Sequence, residues 1–161
     1  MSASSLLSGE SPAARQGSQQ TARRAIEILV AKNERFHEPS GPERDALLIA
    51  FAMRRKAVHG AAFDVVRMST PFPLIEPAFI CENIDALELI EVKSTNRTAL
   101  SADFTGYFFA LTTAELLVAQ TLDKHFRFAF VNIRTGDHIE LTLQQVFARA
   151  RGIYPTWSIR F

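Results

Sequence analysis

The chain has 161 residues, 47% of them hydrophobic and 13 of them Phe, enough to bury the core of one domain, and its single Cys81 excludes an internal disulfide. No apolar run approaches the roughly 20 residues a membrane-crossing helix needs, and the first residues lack a basic stretch followed by an apolar core, so a soluble, unexported, cytoplasmic protein without membrane partners is expected. The net charge of +1 is uneven: residues 1–60 carry 9 Lys/Arg against 6 Asp/Glu, residues 61–120 carry 3 against 8, and residues 121–161 carry 6 against 3.

Residues 1–18, rich in Ser, Gly, Ala and Gln, lack a periodic apolar face and read as a flexible tail before a single domain over 19–161. From Thr21 to about Arg35, the residues Ala22, Ile26, Leu29 and Val30 recur at helical spacing and predict an amphipathic helix. Pro39 and Pro42 end it. Ser40 with Glu43 forms a capping-box pattern and Pro42 suits a first turn, so a second helix follows, with an apolar, buried body over Ala46–Met53 and Arg54-Arg55-Lys56 at its C-terminal end. The period then changes from 3.6 to 2. Ala62–Met68 reads as a strand, Ser69–Pro77 as a loop, Ala78–Cys81 as a short strand and Leu87–Thr95 as the strongest strand in the chain. Tyr107–Leu111 reads as a further strand, Thr112 with Glu115 caps a helix to about Leu122, and Phe126–Ile133 is a strand of aromatic and β-branched residues. A turn at Arg134-Thr135-Gly136-Asp137 leads into a strand over Ile139–Leu143, a helix over Gln144–Ala150 and a closing strand over Thr156–Phe161. Helices, strands, a helix and strands again predict a mixed α/β (α+β) layer fold with a central sheet flanked by helices.

The acidic centre between basic flanks suits a cation site in a protein that binds a polyanion, since a metal needs carboxylates and phosphates need Lys/Arg. His37, His59, His125 and His138 show no zinc-ligand spacing. Alternation in the Leu87–Thr95 strand puts Leu87, Leu89, Glu91, Lys93 and Thr95 on one face and Ile90 and Val92 on the other, so an apolar face turns charged at Glu91 and Lys93. In Ala62–Val66 the same alternation puts Asp64 with Ala62 and Val66, against Phe63 and Val65. An acid in such a strand is costly to desolvate unless a cation or several donors meet it. Each of these also has a plainer reading: Glu43 and Glu115 as helix caps, Glu91 with Lys93 as a surface pair on a half-exposed strand, and Arg54-Arg55-Lys56 as a solvated helix end.

A helix bearing Glu43, a strand bearing Asp64 and a following strand with Glu91-Val92-Lys93 resemble, in this order, the PD-(D/E)xK (restriction-endonuclease-like) nuclease superfamily. The stretches Ile90-Glu91-Val92-Lys93-Ser94-Thr95, then Tyr107 to Glu115, then Phe126 to Asn132 are most similar to its NO VEIN C-terminal and Mrr-like branches. In those branches such a strand is followed by an aromatic strand, a helix opening with T/S-x-x-E and a hydrophobic strand. The likeness spans about Gly41 to Ile133. It implies a restriction-endonuclease-like fold and metal-dependent hydrolysis of DNA, with Asp64, Glu91 and the Val92 carbonyl holding Mg²⁺ or Mn²⁺ and Lys93 orienting the attacking water. Glu43 matches a helix glutamate that some members use as an added ligand or base. Arg54, Arg55, Lys56, Arg97 and Lys124 are the candidates for gripping the nucleic-acid backbone. The resemblance also implies a role in restriction or defence against foreign DNA, as a homodimer or as a subunit of a larger complex; a non-catalytic binding or interaction subunit that keeps the fold is the alternative. The 27 positions from Asp64 to Glu91 leave Glu76, Glu82 and Asp85 as other possible partners of Glu91, and Ala62-Phe63 stand where the family commonly has a glycine.

Overall fold

The computed structural model describes residues 12–154, with side chains from residue 19 on. In chain order the elements are α1 (Pro12–Lys32), β1 (Phe36–His37), α2 (Gly41–Met53), β2 (Val65–Met68), α3 (Pro77–Glu82), β3 (Leu87–Thr95), α4 (Thr113–Leu122), β4 (Phe126–Asn132), β5 (His138–Leu141) and α5 (Leu143–Arg149). The strands form one five-stranded sheet in the order β1-β2-β3-β4-β5. β2 pairs antiparallel with β1 and β3, and β5 antiparallel with β4. β3 and β4 run parallel, from Leu89 opposite Phe126 to Thr95 opposite Asn132. A parallel pair requires a crossover, which α4 provides.

The alternation in β3 decides which helix covers which face. Ile90 and Val92 join Val65, Ala129 and Val131 against Ala25, Ile26 and Leu29 of α1. Leu87 and Leu89 join Phe126, Phe128 and Phe130 in the larger core with α2, α3, α4 and Val146 of α5. The sheet is therefore enclosed between α1 and the other helices, the mixed α/β arrangement expected from the order of elements. On the sheet face that α1 covers, Arg67, Glu88, Arg127 and Glu140 link β2, β3, β4 and β5 in an ion network, including Arg127 Nε to Glu88 Oε1 at 2.9 Å.

Several boundaries differ from the sequence expectation. α1 already begins at Pro12, so the last part of the expected 1–18 tail is helical. The body of α2 buries Ala46, Leu47, Ala50 and Phe51 but exposes Ile49 and Met53, so its apolar residues are not all core. Ala78–Cys81 is helical, because Pro77 sits in the first turn of a six-residue helix that buries only Ile80. Phe36–His37 forms an edge strand that alternation over two residues could not announce. Tyr107–Leu111 forms no strand: β3 already has β2 and β4 as its neighbours, and Tyr107 and Phe109 instead lie on Phe130 at ring-centroid distances of 6.1 and 4.8 Å. Phe108 between them is exposed. The strand expected at Thr156–Phe161 lies outside the described residues.

Candidate functional site

Asp64 precedes β2 by one residue and replaces a strand rung with its side chain. Its N–H donates to the Ile90 carbonyl at 2.9 Å, and its Oδ2 accepts the Val92 N–H at 2.9 Å. The side chain thus meets β3 just before β2 begins, close enough to Glu91 for the two carboxyls to act on each other's charge. Of the acids that could partner Glu91, the structure brings up Asp64, while Glu76, Glu82 and Asp85 are exposed. Ala62 and Phe63 both lie in the larger core, so the face alternation expected across Ala62–Val66 begins only with the strand itself.

Glu91, 8% exposed, lies beside Lys93, whose Nζ donates to Glu91 Oε1 at 2.9 Å and to Glu115 Oε2 at 2.7 Å. Glu115 comes from the first turn of α4 and also caps that helix: its Oε2 accepts the Thr112 N–H at 3.1 Å, while its own N–H donates to Thr112 Oγ1 at 3.2 Å. On the far side of Asp64, Arg44 of α2 donates to the carbonyls of Gly60 and Phe63, each at 2.7 Å, and lies 4.3 Å from the Phe63 ring centroid. It fixes the segment that delivers Asp64. The hydroxyl of Tyr107 donates to the Ser94 carbonyl at 2.6 Å, closing the other end of the charged face.

Burial and like charge dominate the electrostatics. Desolvation pushes the Asp64 carboxyl up despite the Val92 N–H, Lys93 and Arg44. Desolvation and the Asp64 charge push Glu91 up to about 8. Burial works to lower Lys93, yet the Glu91 and Glu115 carboxylates outweigh it and hold the ammonium above its usual value. Three carboxylates thus share the notch with Lys93 and Arg44, and burial with mutual repulsion makes the Asp64–Glu91 pair hold a proton to higher pH than free carboxyls do.

Among the described residues no group of three or more His, Cys, Asp or Glu side chains is arranged to hold a metal ion. A smaller set suits Mg²⁺ or Mn²⁺, since such ions take one or two carboxylates and fill their other positions with water and phosphate oxygens. Asp64 and Glu91 could serve as such a pair, with the Val92 carbonyl on the strand edge where the Val92 N–H already meets Asp64.

The structure does not bring Glu43 to this cluster. Its Oε2 accepts the Ser40 N–H at 2.7 Å and faces His37 Nε2 at 3.0 Å, beside a cavity of about 350 Å³ lined also by Glu34, Phe36, Met68 and Phe72. These hydrogen bonds outweigh its partial burial and hold it below the usual carboxylate value. The basic candidates scatter likewise. Arg54 donates to the Cys81 carbonyl, Lys56 to the Thr121 carbonyl, and Lys124 pairs with Asp85 at 3.4 Å. Arg55 is exposed and adopts a left-handed backbone at φ 58°. Arg97 alone among them remains near the cluster, where its charge and that of Lys93 both act on Tyr107.

Arg44, Tyr107 and Glu115 were absent from the site expected from sequence. For Arg44 no local signal exists. Glu115 had one, but its capping pattern already accounted for it. The fold and notch define a mixed α/β domain with a buried carboxylate pair beside a lysine. Compared with known proteins, the chain matches no family model, no curated protein and no solved structure. No described helix is long and apolar enough to cross a membrane.

Proposed function

We propose that this chain is a metal-dependent nuclease that hydrolyses DNA phosphodiester bonds at the Asp64–Glu91–Lys93 notch, on a restriction-endonuclease-like fold. One observation carries this: two carboxylates, one just before β2 and one on β3, share a buried site with an ammonium group, an arrangement that costs stability unless a cation and an anionic substrate use it. Asp64, Glu91 and the Val92 carbonyl would hold Mg²⁺ or Mn²⁺. When bound, that ion supplies charge neutralisation of the scissile phosphate and an acidified water. Lys93 has three N–H donors and spends two on Glu91 and Glu115. The third is left for a water or a phosphate oxygen, where it offsets the charge that develops on the phosphoryl group. Arg97, past the end of β3, is the cation best placed to meet the nucleic-acid backbone, whereas Arg54 and Lys56 serve carbonyls at the ends of other helices.

Supercoiled plasmid DNA with Mg²⁺ or Mn²⁺ tests the proposal. The wild type nicks it, chelation stops the nicking, and Asp64→Ala and Lys93→Ala each lower the rate by about 100-fold or more. A second reading, a non-catalytic binding subunit that keeps the fold, draws on the two carboxylates that already occupy Lys93. Absence of metal-dependent nicking, or equal nicking by the variants, would favour it.

A further inference from the structure

We infer that Glu115 is a positioning residue for Lys93, anchoring the ammonium to the N-terminus of α4; the inference rests on the nuclease proposal for its catalytic consequence. A helix cap alone does not account for what Glu115 does. A capping-box glutamate needs only to reach the backbone N–H three residues back, a contact that is compatible with an exposed side chain. Glu115 is instead 5% exposed, and the oxygen that accepts the Thr112 N–H at 3.1 Å also accepts Lys93 Nζ at the shorter 2.7 Å. A buried carboxylate is costly without a charged partner. Lys93 is that partner, 22 residues away in sequence.

The geometry of the lysine explains why a second anchor matters. Its four-carbon stem has many rotamers, and a reacting or water-holding group that wanders loses rate steeply. Glu91 sits two residues away on the same strand and is the carboxylate the proposed cation would claim. Glu115 stands on a different element, is not one of the groups proposed to hold the ion, and has its carboxylate held by the Thr112 backbone N–H, which Oε2 accepts at 3.1 Å. It is therefore the anchor that holds Lys93 in place when Glu91 turns to a metal.

Two substitutions separate anchoring from capping. Glu115→Gln keeps the cap, because glutamine serves the capping box as well, but removes the charge facing Lys93. Thr112→Ala breaks the cap and leaves the carboxylate. Three readouts on the full chain are the melting temperature, the kcat and KM for plasmid nicking, and the ¹H–¹⁵N signal of the Lys93 ammonium. Anchoring predicts that Glu115→Gln lowers kcat about tenfold or more with KM little changed, and broadens the Lys93 signal through faster exchange with water. Thr112→Ala then lowers the melting temperature while retaining both kcat and the signal. The inference is overturned if Glu115→Gln leaves the Lys93 signal and kcat as in the wild type, or if Thr112→Ala lowers kcat equally. A Lys93 signal that depends on Glu115 in a protein that never cleaves DNA would support the anchoring and overturn the nuclease proposal instead.

Discussion

Glu91 binds a proton more tightly in the folded chain than in an unfolded one, since burial and the neighbouring Asp64 charge raise it from an ordinary 4.5 to about 8. Between those values the folded state holds a proton that the unfolded state has released. The stability this confers is fully present below about 4.5 and is lost as pH rises through about 8. Asp64, also raised, acts with the same sign. The chelator-treated wild type is therefore expected to melt at a lower temperature at pH 8.5 than at pH 5.5, while Glu91→Gln, which carries no such proton, shows a flatter profile. Calorimetry at the two pH values decides it, and parallel profiles would refute the buried-pair account. At Glu43 the same chemistry has another purpose, because its hydrogen bonds to Ser40 and His37 serve the start of α2. Glu43→Ala is expected to cost about 1 kcal/mol in urea unfolding and to leave nicking unchanged.

Among the elements, β4 supports the site from behind. Phe130 is buried and meets Phe104, Tyr107 and Phe109 edge-on or tilted. Phe130→Ala should cost roughly 3–5 kcal/mol and raise amide exchange over 104–109, whereas Phe108→Ala, at a side chain 76% exposed, should do neither. Some elements were legible in the sequence for a local reason. Leu87–Thr95 was readable to the residue because each face of β3 meets its own core, Leu87 and Leu89 on one side and Ile90 and Val92 on the other, and α4 because a capping box marks its start. Other features depend on neighbours that a window of sequence does not contain. The alternation over Tyr107–Phe109 reports an extended segment with one face buried, but whether it joins a sheet depends on whether a strand edge is free. The apolar run of α2 reports hydrophobicity and not which side meets the core. The site divides along the same line: Asp64, Glu91 and Lys93 were visible because charge interrupts an apolar strand face. Glu43 and Glu115 stand at equivalent capping positions, and only the crossover from β3 to β4 determines that the second, not the first, meets Lys93.

Across the whole molecule the sheet separates two groups of charges. Where β2 and β3 pair at Arg67 and Glu88, two arginines meet two glutamates and the network is neutral. Where β3 extends past β2, Asp64, Glu91 and Glu115 face Lys93 and Arg44, and the carboxylates outnumber their cations. A divalent cation added to the protein should therefore select the second group. Because it must displace the proton held by the acid pair, its binding should strengthen as pH rises. Mg²⁺ at 100 times its dissociation constant stabilises a folded chain by about 2.7 kcal/mol, so a melting-temperature gain should be plain at pH 8 and much reduced at pH 5.5. Asp64→Asn and Glu91→Gln should abolish the gain, while Glu88→Gln, at the neutral network, should leave it intact. Amide shifts in a Mg²⁺ titration locate the ion independently: Glu91, Val92 and Lys93 should move, and Arg127 and Glu140 should not. Equal shifts at both groups, or a gain that ignores pH, would mean that the cation meets the protein as diffuse surface charge, and the notch would lose its claim to a metal.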